Sequence, residues 1–104
     1  MTGPSSGPAA PLTPAEIQQE LGALPGWTHA GDVRLKTFTW GSFREACSFM
    51  TRVALEAEAR DHHPEWTNVY NRVTIRLNTH SAGDKVTMKD VEFAKRIRKV
   101  FWLG

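Results

Sequence analysis

The sequence predicts an α+β fold: a two-layer sandwich in which a four-stranded antiparallel sheet carries its helices on one face. Three observations predict this class. Strand-like runs occur in two pairs, helical segments with capping signals lie before, between and after those pairs, and 104 residues suit one domain. Hairpins with intervening helices favour an antiparallel sheet covered on one side, in the order helix, two strands, helix, two strands, helix.

Residues 1–12 are rich in Gly, Pro, Ser and Ala. Such a segment buries too little apolar surface to offset its ordering entropy, so a disordered tail is predicted. A single domain is expected over residues 13–104. Its first helix starts after Thr13, because Pro14 suits the first helical position and Glu16 completes a capping box. This helix is expected to extend to about residue 21, with an inner side formed by Ile17, Leu21 and Leu24.

The first pair of strands is predicted at residues 27–30 and 33–40, joined by the turn signal Gly31-Asp32. The second strand alternates between two sets of side chains. One set consists of Val33, Leu35, Thr37 and Thr39, and the other of Arg34, Lys36, Phe38 and Trp40. Neither set is cleanly apolar, so the alternation leaves open which of them faces the helices.

A long second helix follows Ser42, which is expected to form a capping box with Glu45. Its predicted inner stripe, at three- and four-residue spacing, consists of Phe43, Ala46, Cys47, Met50, Val53, Ala54 and Ala57. Phe49 and Leu55 lie off that stripe. They are either single exposed apolar residues or part of a second buried face at a subunit contact, which the small size of the chain favours.

The second pair of strands is predicted at residues 66–70 and 73–79. The chain has left the helix by His63, because Pro64 disfavours helical geometry at the residue before it. One face of the last strand consists of Val73, Ile75, Leu77 and Thr79, and the other of Thr74, Arg76, Asn78 and His80. The final helix is capped by Thr87, with Asp90 at the capping-box position. Its inner stripe is expected to be Val91, Ala94, Ile97 and Phe101.

Three of the four histidines flank this second hairpin, in the segments Asp61-His62-His63-Pro64-Glu65-Trp66 and Thr79-His80. Because His62 and His80 are equidistant from Asn71, a tight turn there brings the imidazoles to the same end of the strand pair. Histidine is the side chain that titrates near neutrality. The cluster therefore predicts acid–base catalysis on a substrate held between imidazoles. Trp66 beside it is either a packing residue or an apolar wall of the pocket.

Other interpretations of the histidines were weaker on the same residues. Zinc sites commonly use three protein ligands and a water, but His62 and His63 are adjacent and diverge in extended chain, so no metal is predicted. A cap of protonated histidine on the helix end explains His62 or His63 but not His80, which comes from another strand. A nucleophile is disfavoured, because no Ser or Cys stands in a nucleophile elbow and Cys47 falls on the apolar stripe.

Charge and composition exclude several classes of function. The net charge of +2 is too small to indicate direct nucleic-acid binding, and the basic last helix is interpreted as a solvated face. Lone Cys47 rules out an intrachain disulfide. No apolar run reaches the length of a membrane span, and the N-terminus lacks the features of a secretory signal. A cytoplasmic protein without membrane contact is expected.

These motifs resemble the pterin-4a-carbinolamine dehydratase family over about residues 24–100. The resemblance is carried by Phe49-Met50-Thr51-Arg52-Val53-Ala54, by the histidine segment at 61–66, by Asn68-Val69-Tyr70-Asn71 and by Thr79-His80. It implies dehydration of 4a-hydroxytetrahydropterin to quinonoid dihydropterin, in tetrahydropterin recycling, without a metal or organic cofactor. It also implies a homo-oligomer, dimer or tetramer, formed through the helix at 42–59 and a sheet edge.

The resemblance also assigns residues. The catalytic histidines of the family correspond to His62, His63 and His80, of which His62 and His80 are expected to be the acid–base pair. Its pterin-contacting stretches correspond to Asp61-His62-His63 and Asn78-Thr79-His80-Ser81, and its aspartate at the start of the last helix to Asp90, a residue that also suits a helix N-terminus. The loop at 81–86 is one residue longer than the usual family turn. Two alternatives remain open: a protein-binding module that acts as a dimerisation cofactor of a transcription factor, and a pterin-binding protein without turnover.

Overall fold

The computed structural model describes residues 10–103, and its elements follow the predicted order. The helices are α1 (Pro14–Gly22), α2 (Phe43–Arg60) and α3 (Met88–Leu103), and a 3₁₀ turn spans His80–Ala82. The strands are β1 (Thr28–Ala30), β2 (Val33–Thr39), β3 (Glu65–Val69) and β4 (Arg72–Leu77), and they form one antiparallel sheet in the order β1-β2-β4-β3. The α+β class and the order α-ββ-α-ββ-α are confirmed.

The inner face of the sheet is defined by β4. Its predicted apolar set is buried: Val73, Ile75, Leu77 and Thr79. In the β2–β4 pairing, Arg34 lies opposite Leu77 and Phe38 lies opposite Val73, and cross-strand partners share a face. The set of β2 side chains that contains Arg34 and Phe38 therefore faces the helices, which settles the orientation that the sequence left open.

The buried stripe of α2 differs from the predicted one. It consists of Ala46, Phe49, Val53 and Ala57, none of them more than 2% exposed. Phe49, predicted to lie off the stripe, is fully buried against Phe38 and Trp40, with ring centroids 4.8 and 4.9 Å away. Phe43, predicted to face inward, is 50% exposed. The prediction was wrong because it did not include the aromatic side of β2, against which Phe49 packs.

The start of the domain lies slightly before the predicted boundary. Residues 1–9 of the predicted tail fall outside the described residues. Leu12, the last residue of that tail, donates its N–H to the Val86 carbonyl at 2.9 Å and packs against the core. Thr13 and Glu16 then form the predicted reciprocal capping box of α1. The described part of the domain therefore includes residue 12.

The other two helix starts are also capped, with one shift of partner. Ser42 Oγ accepts from the Glu45 N–H, as predicted, but the Glu45 carboxylate accepts from Gly41 rather than from Ser42. The inner side of α3 adds Phe93, which is fully buried, to the predicted stripe. Among residues 10–103, none of the helices combines the length and the apolar character that a membrane span requires.

Candidate active site

Three segments meet at one end of the β3–β4 hairpin. The hairpin pairs Val69 with Arg72, so its midpoint lies between Tyr70 and Asn71 and not on Asn71. If this register is continued beyond the ends of the strands, His62 lies opposite Thr79. The sequence had predicted His80, one residue further along, as its partner. The first segment follows α2, the second follows β4 and the third begins α3.

The first segment leaves α2 through a Schellman-type helix end. The N–H of Asp61 bonds to the Glu58 carbonyl at 3.2 Å, and the N–H of His62 bonds to the Ala57 carbonyl at 3.1 Å. Asp61 adopts left-handed geometry with φ 49° and ψ 43°, a conformation that Asp tolerates better than most side chains. The backbone of His62 is thereby anchored to the last turn of the helix.

At the centre of the site lies Asp90, whose carboxylate is fully buried. Its Oδ2 accepts from the Thr87 N–H at 2.8 Å and from the Thr79 hydroxyl at 2.9 Å. Its Oδ1 lies 2.6 Å from His62 Nε2. When the carboxylate is ionised it only accepts hydrogen bonds, so Nε2 of His62 is then the donor. The N-terminal end of α3 favours negative charge at this position.

The hydroxyls of Thr79 and Thr87 complete the polar cluster, 2.6 Å apart and buried. A hydroxyl has one proton, and that of Thr79 is given to Asp90. Thr87 is therefore the donor to Thr79, and its own oxygen accepts from the Lys89 N–H at 3.2 Å. A buried polar network in which every member is satisfied holds its geometry rigidly.

His62 is almost enclosed. Its side chain is 11% exposed, and its ring meets Phe93 edge to face with centroids 5.8 Å apart. Nδ1 makes no hydrogen bond within residues 10–103 and is not among the buried unpartnered polar atoms there. The ring thus has one nitrogen held by Asp90 and the other open to a ligand, the arrangement by which a buried carboxylate fixes the tautomer of a catalytic imidazole.

The other two histidines of the cluster lie outside this enclosure. The side chain of His63 is 57% exposed, with Nε2 3.0 Å from Glu58 Oε1. The side chain of His80 is 98% exposed, as its predicted face requires, with Nδ1 3.1 Å from Asp84 Oδ1. Within residues 10–103, no hydrogen bond or ring contact joins His80 to His62 or His63. The connection between them is Thr79, which precedes His80 and binds Asp90.

The remaining predicted site residues lie on β3, just after β4 and in the 3₁₀ turn. Asn78 is half-buried and Ser81 is exposed in the 3₁₀ turn. Trp66 lies opposite Ile75 on the inner face and packs against the core, which is the packing alternative of its two interpretations. Thr79 is only 2% exposed, so its side chain supports Asp90 from inside.

The loop after His80 folds back onto the end of β4. Thr79 donates its N–H to the Lys85 carbonyl at 2.8 Å, and its carbonyl accepts from the Asp84 N–H at 3.1 Å. Gly83 and Asp84 are both left-handed, with φ 72° and 62°, which reverses the chain within two residues. The loop is therefore tied to Thr79, whose hydroxyl donates to Asp90. It also places Asp84 against His80.

Two members of the environment were not found from the sequence. Thr87 was recognised only as a helix cap, although its hydroxyl also bonds to Thr79. Arg34 was one of an ambiguous set, yet it is fully buried. Its position in that set beside Phe38, once the face is known, is the signal that identifies it. Among residues 10–103, no group of three or more His, Cys, Asp or Glu side chains is placed to hold a metal ion.

Comparison with known proteins finds consistent relatives. The family model described as "Pterin 4 alpha carbinolamine dehydratase" matches residues 10–100. A protein of Opitutus terrae named "Putative pterin-4-alpha-carbinolamine dehydratase" is 62% identical over 93 residues, which cover 89% of this chain and 96% of the relative. One of Bradyrhizobium diazoefficiens with the same name is 47% identical over 91 residues, covering 86% and 90%.

Solved structures agree on the fold. A "transcriptional coactivator/pterin dehydratase" from Brucella melitensis matches with a TM-score of 0.82 and 39% identity, over 86% of this chain and 97% of that one. A pterin dehydratase-like protein identified as a RuBisCO assembly factor in the alpha-carboxysome matches with a TM-score of 0.63, over 72% and 88%. At 22% identity this second match supports the fold alone.

Proposed function

Because this chain belongs to the pterin 4 alpha carbinolamine dehydratase family, we propose that it dehydrates a 4a-hydroxytetrahydropterin to the quinonoid dihydropterin, as a hydro-lyase of tetrahydropterin recycling. One observation carries the proposal beyond family membership. A nearly enclosed His62 is held through Nε2 by a fully buried carboxylate, and that carboxylate is bound to the residue before His80. The proposal assigns the reaction to proton transfers without a metal or organic cofactor.

The reaction needs one acid and one base. The bond between C4a and the hydroxyl oxygen breaks, and the hydroxyl leaves as water after it receives a proton. N5 loses its proton to the base, and the electron pair of that N–H bond forms the double bond between N5 and C4a. One proton is delivered and one is removed, so the reaction consumes none overall.

His62 is proposed as the base. With its Nε2 proton held by Asp90, the neutral ring presents the lone pair of Nδ1 to N5 of the pterin. When Nδ1 takes the proton, the imidazolium is stabilised by Asp90 at 2.6 Å and by the C-terminal end of α2, which favours positive charge. This is general base catalysis by a positioned imidazole.

His80 is proposed as the acid. Asp84 accepts from Nδ1, so the protonated ring presents its Nε2 proton to the leaving hydroxyl. His63, beside Glu58, is proposed to orient the substrate or to stabilise charge. Asp61, Asn78 and Ser81 stay proposed substrate contacts, because they adjoin these histidines in the chain. Between turnovers, exposed His80 regains a proton from solvent and His62 releases the proton on Nδ1 to solvent, which restores both the acid and the base.

Single substitutions test these roles. His62→Ala and His80→Ala should each lower the dehydration rate by about 10²–10⁴, the usual contribution of a positioned acid or base, and His63→Ala should cost less. The rate is followed in a stopped-flow assay as the absorbance of the 4a-hydroxypterin disappears, with EDTA present. Gln18→Ala, at an exposed position of α1, is the control and should keep the wild-type rate. A wild-type rate without His62 or without His80 would overturn the assignment.

We also propose that the chain forms a homo-oligomer through α2 and a sheet edge. On α2, Phe43 is 50% and Leu55 is 68% exposed, and Leu55 lies opposite the buried stripe of the helix. Large exposed apolar residues on one helix suit a contact between subunits. Leu55→Glu should lower the molar mass in light scattering, whereas Ala15→Glu on α1 should not. An unchanged mass in Leu55→Glu would exclude this helix as the contact.

A protein-binding role is the second candidate, supported by the Brucella relative, which is named a transcriptional coactivator as well as a pterin dehydratase. It would use the same outer side of α2, so an external partner would compete with self-association. Light scattering of the mixture distinguishes the two: a partner complex would contain fewer copies of this chain than the chain alone forms.

A further inference from the structure

We infer that Arg34 is a positioning residue of this site, whose buried guanidinium lets the His62–Asp90 pair carry a net negative charge and so keeps His62 available as a neutral base. The catalytic meaning of the inference rests on the proposed function. Its physical content, the protonation of His62, is measurable without a pterin.

The burial of Arg34 is unusual for its chemistry. The residue is fully buried, and Nε, Nη1 and Nη2 are all buried without a hydrogen-bond partner in residues 10–103. A guanidinium donates five hydrogen bonds and does not lose its charge in proteins. Burial lowers the pKa of Arg34, and the carboxylates of Glu20 and Asp90 oppose that shift. The charge is therefore stabilised by neighbouring negative charge rather than by direct hydrogen bonds.

The sheet places Arg34 next to the end of β4 that leads to Thr79 and Asp90, and the Asp90 charge acts on its guanidinium. Arg34 lies opposite Leu77 on the inner face, and Thr79, two residues further along, continues that face and donates to Asp90 at 2.9 Å. Opposite charges in a buried region attract strongly, because neither water nor salt screens them well. Arg34 is thus placed to act on Asp90 electrostatically from the neighbouring strand.

Other charged and titratable groups also face Arg34. They determine whether its charge is balanced mainly by Glu20 or by Asp90. From α1, Glu20 also attracts it, but the Glu20 carboxylate lies 3.8 Å from Lys95 of α3 and its side chain is 22% exposed. From β1, His29 is its cross-strand partner. On β2 itself, Lys36 donates to the Pro25 carbonyl. Glu20 thus has a second cation in Lys95, whereas the fully buried Asp90 has His62 as its ion-pair partner within residues 10–103.

Charged residues at the C-terminal end of α2 also lie near the His62–Asp90 pair. Arg60 stacks over Phe93 at 5.9 Å, and Phe93 contacts the His62 ring. Glu58 binds His63 at 3.0 Å, but both side chains are more than half exposed. Solvent screens charges at such positions. Arg34 is the cation among these that is fully buried on the same face as Asp90.

The sign of its effect follows from the charge states. Protonated His62 with ionised Asp90 has no net charge, and loss of one proton leaves a net charge of −1. A nearby positive charge stabilises the negative state. Arg34 therefore favours neutral His62 beside ionised Asp90, and its removal should make the pair retain its proton.

The direct test is nitrogen NMR of the histidine rings at pH 7 in the full chain without ligand. In Arg34→Met, which keeps the length of the side chain but not its charge, the ratio of protonated to neutral His62 should rise about tenfold. Arg34→Lys should stay near the wild-type ratio. His80, fully solvated at 98% exposure, is the internal control and should not change. A folded Arg34→Met with an unchanged His62 ratio would overturn the inference, as would an equal change at His80.

A second variant keeps the test decisive if Arg34→Met fails to fold. Glu20→Gln removes a negative charge from the other side of Arg34, so the protonated fraction of His62 should fall, by about two- to threefold. No change in Glu20→Gln together with an unfolded Arg34→Met would count against the inference.

Turnover separates the two proposals. If the dehydratase assignment holds, Arg34→Met moves the rate profile to higher pH and regains its rate there, whereas a merely structural role lowers kcat at every pH. If the NMR ratio responds but no variant dehydrates the pterin, the proposed function fails and the role of Arg34 in the pair stands.

Discussion

Single residues around Asp90 differ from similar residues elsewhere mainly in burial. Between residues 10 and 103, two pairs of threonine hydroxyls are hydrogen-bonded: Thr79 with Thr87 at 2.6 Å, which is buried, and Thr37 with Thr74 at 2.9 Å, which is exposed. Only the buried pair is linked to the Asp90 carboxylate. A lost donor beside a buried carboxylate costs its full desolvation penalty, whereas water replaces a lost donor at the surface.

Thr79→Val tests this difference. Valine keeps the shape of the side chain and removes the hydroxyl, so Asp90 loses one donor and Thr87 loses its acceptor. The free energy of unfolding should fall by about 1–3 kcal/mol, measured by urea denaturation. Thr37→Val is the matched control, and it should change the free energy of unfolding by less than about 0.5 kcal/mol. Equal costs for the two substitutions would contradict the role given to the buried network.

At the scale of single residues, the sequence predicted the three histidines of the site but not the buried residues around His62. His62, His63 and His80 stand out in the sequence because three titratable rings flank one hairpin. The position of Arg34 depended on the face of β2, which a mixed strand does not reveal. The hydrogen bond between Thr79 and Thr87 depended on two segments meeting in space, which no local pattern encodes.

Helix caps and the alternation of apolar and polar side chains in the strands determine where the elements begin and end. Because both are visible in the sequence, most elements were predicted correctly. Thr13, Ser42 and Thr87 mark three helix starts, and Pro64 marks a helix end. The inner side of α2 was the exception, since its stripe is set by the aromatic side chains of β2. Phe49 lies among them, in contact with Phe38 and Trp40.

Phe49→Ala tests the corrected stripe. Removal of a fully buried phenylalanine should lower the free energy of unfolding by about 3–5 kcal/mol, measured by chemical denaturation. Leu55 was predicted to lie off the stripe together with Phe49, but its side chain is 68% exposed. Because Leu55 belongs to the proposed subunit contact, the control is Tyr70→Ala in the β3–β4 turn, where the residue is 65% exposed. It should change the free energy of unfolding by about 0.5 kcal/mol or less. A small cost for Phe49→Ala would restore the original stripe.

The molecule as a whole is held together by contacts between its two long helices as well as by the core. Arg96 of α3 donates from Nε and Nη2 to the two carboxylate oxygens of Glu56 of α2, at 2.9 and 3.0 Å. The hydrogen bond from Arg96, assisted by its charge and that of Arg60, lowers the pKa of Glu56 below its ordinary value of 4.5, while burial opposes the shift. Because this carboxylate ionises more readily in the folded chain, its ionised form favours folding.

Acid unfolding reports this contact. The stabilisation from Glu56 is fully present above about pH 4.5, its unfolded value, and is lost as the pH falls through the lower folded value. Glu56→Gln should therefore flatten the fall of stability in that acid range, measured by urea denaturation between pH 7 and pH 3. The effect should be modest, because solvent screens a partly exposed pair. Glu92→Gln, on the exposed side of α3, is the control, and an equal flattening there would contradict the assignment.

The overall architecture followed from the sequence, and the register did not. A helix–hairpin–helix–hairpin–helix order leaves few ways to cover one face of a sheet. The hairpin midpoint was displaced, since the two-residue turn lies at Tyr70-Asn71 rather than being centred on Asn71. A shift of one position replaces His80 by Thr79 opposite His62. The sequence pattern therefore predicted which end of the sheet holds the histidines, but not which residues are in contact there.

The unequal exposure of the three imidazoles has a consequence for chemical modification. A reagent that acylates imidazole nitrogen, such as diethyl pyrocarbonate, should modify His80 first, His63 next and His62 last, because their side chains are 98%, 57% and 11% exposed. Mass spectrometry of timed digests would establish the order. Inactivation that tracks the first adduct would identify the surface imidazole as essential, and inactivation that waits for the last would identify the enclosed one.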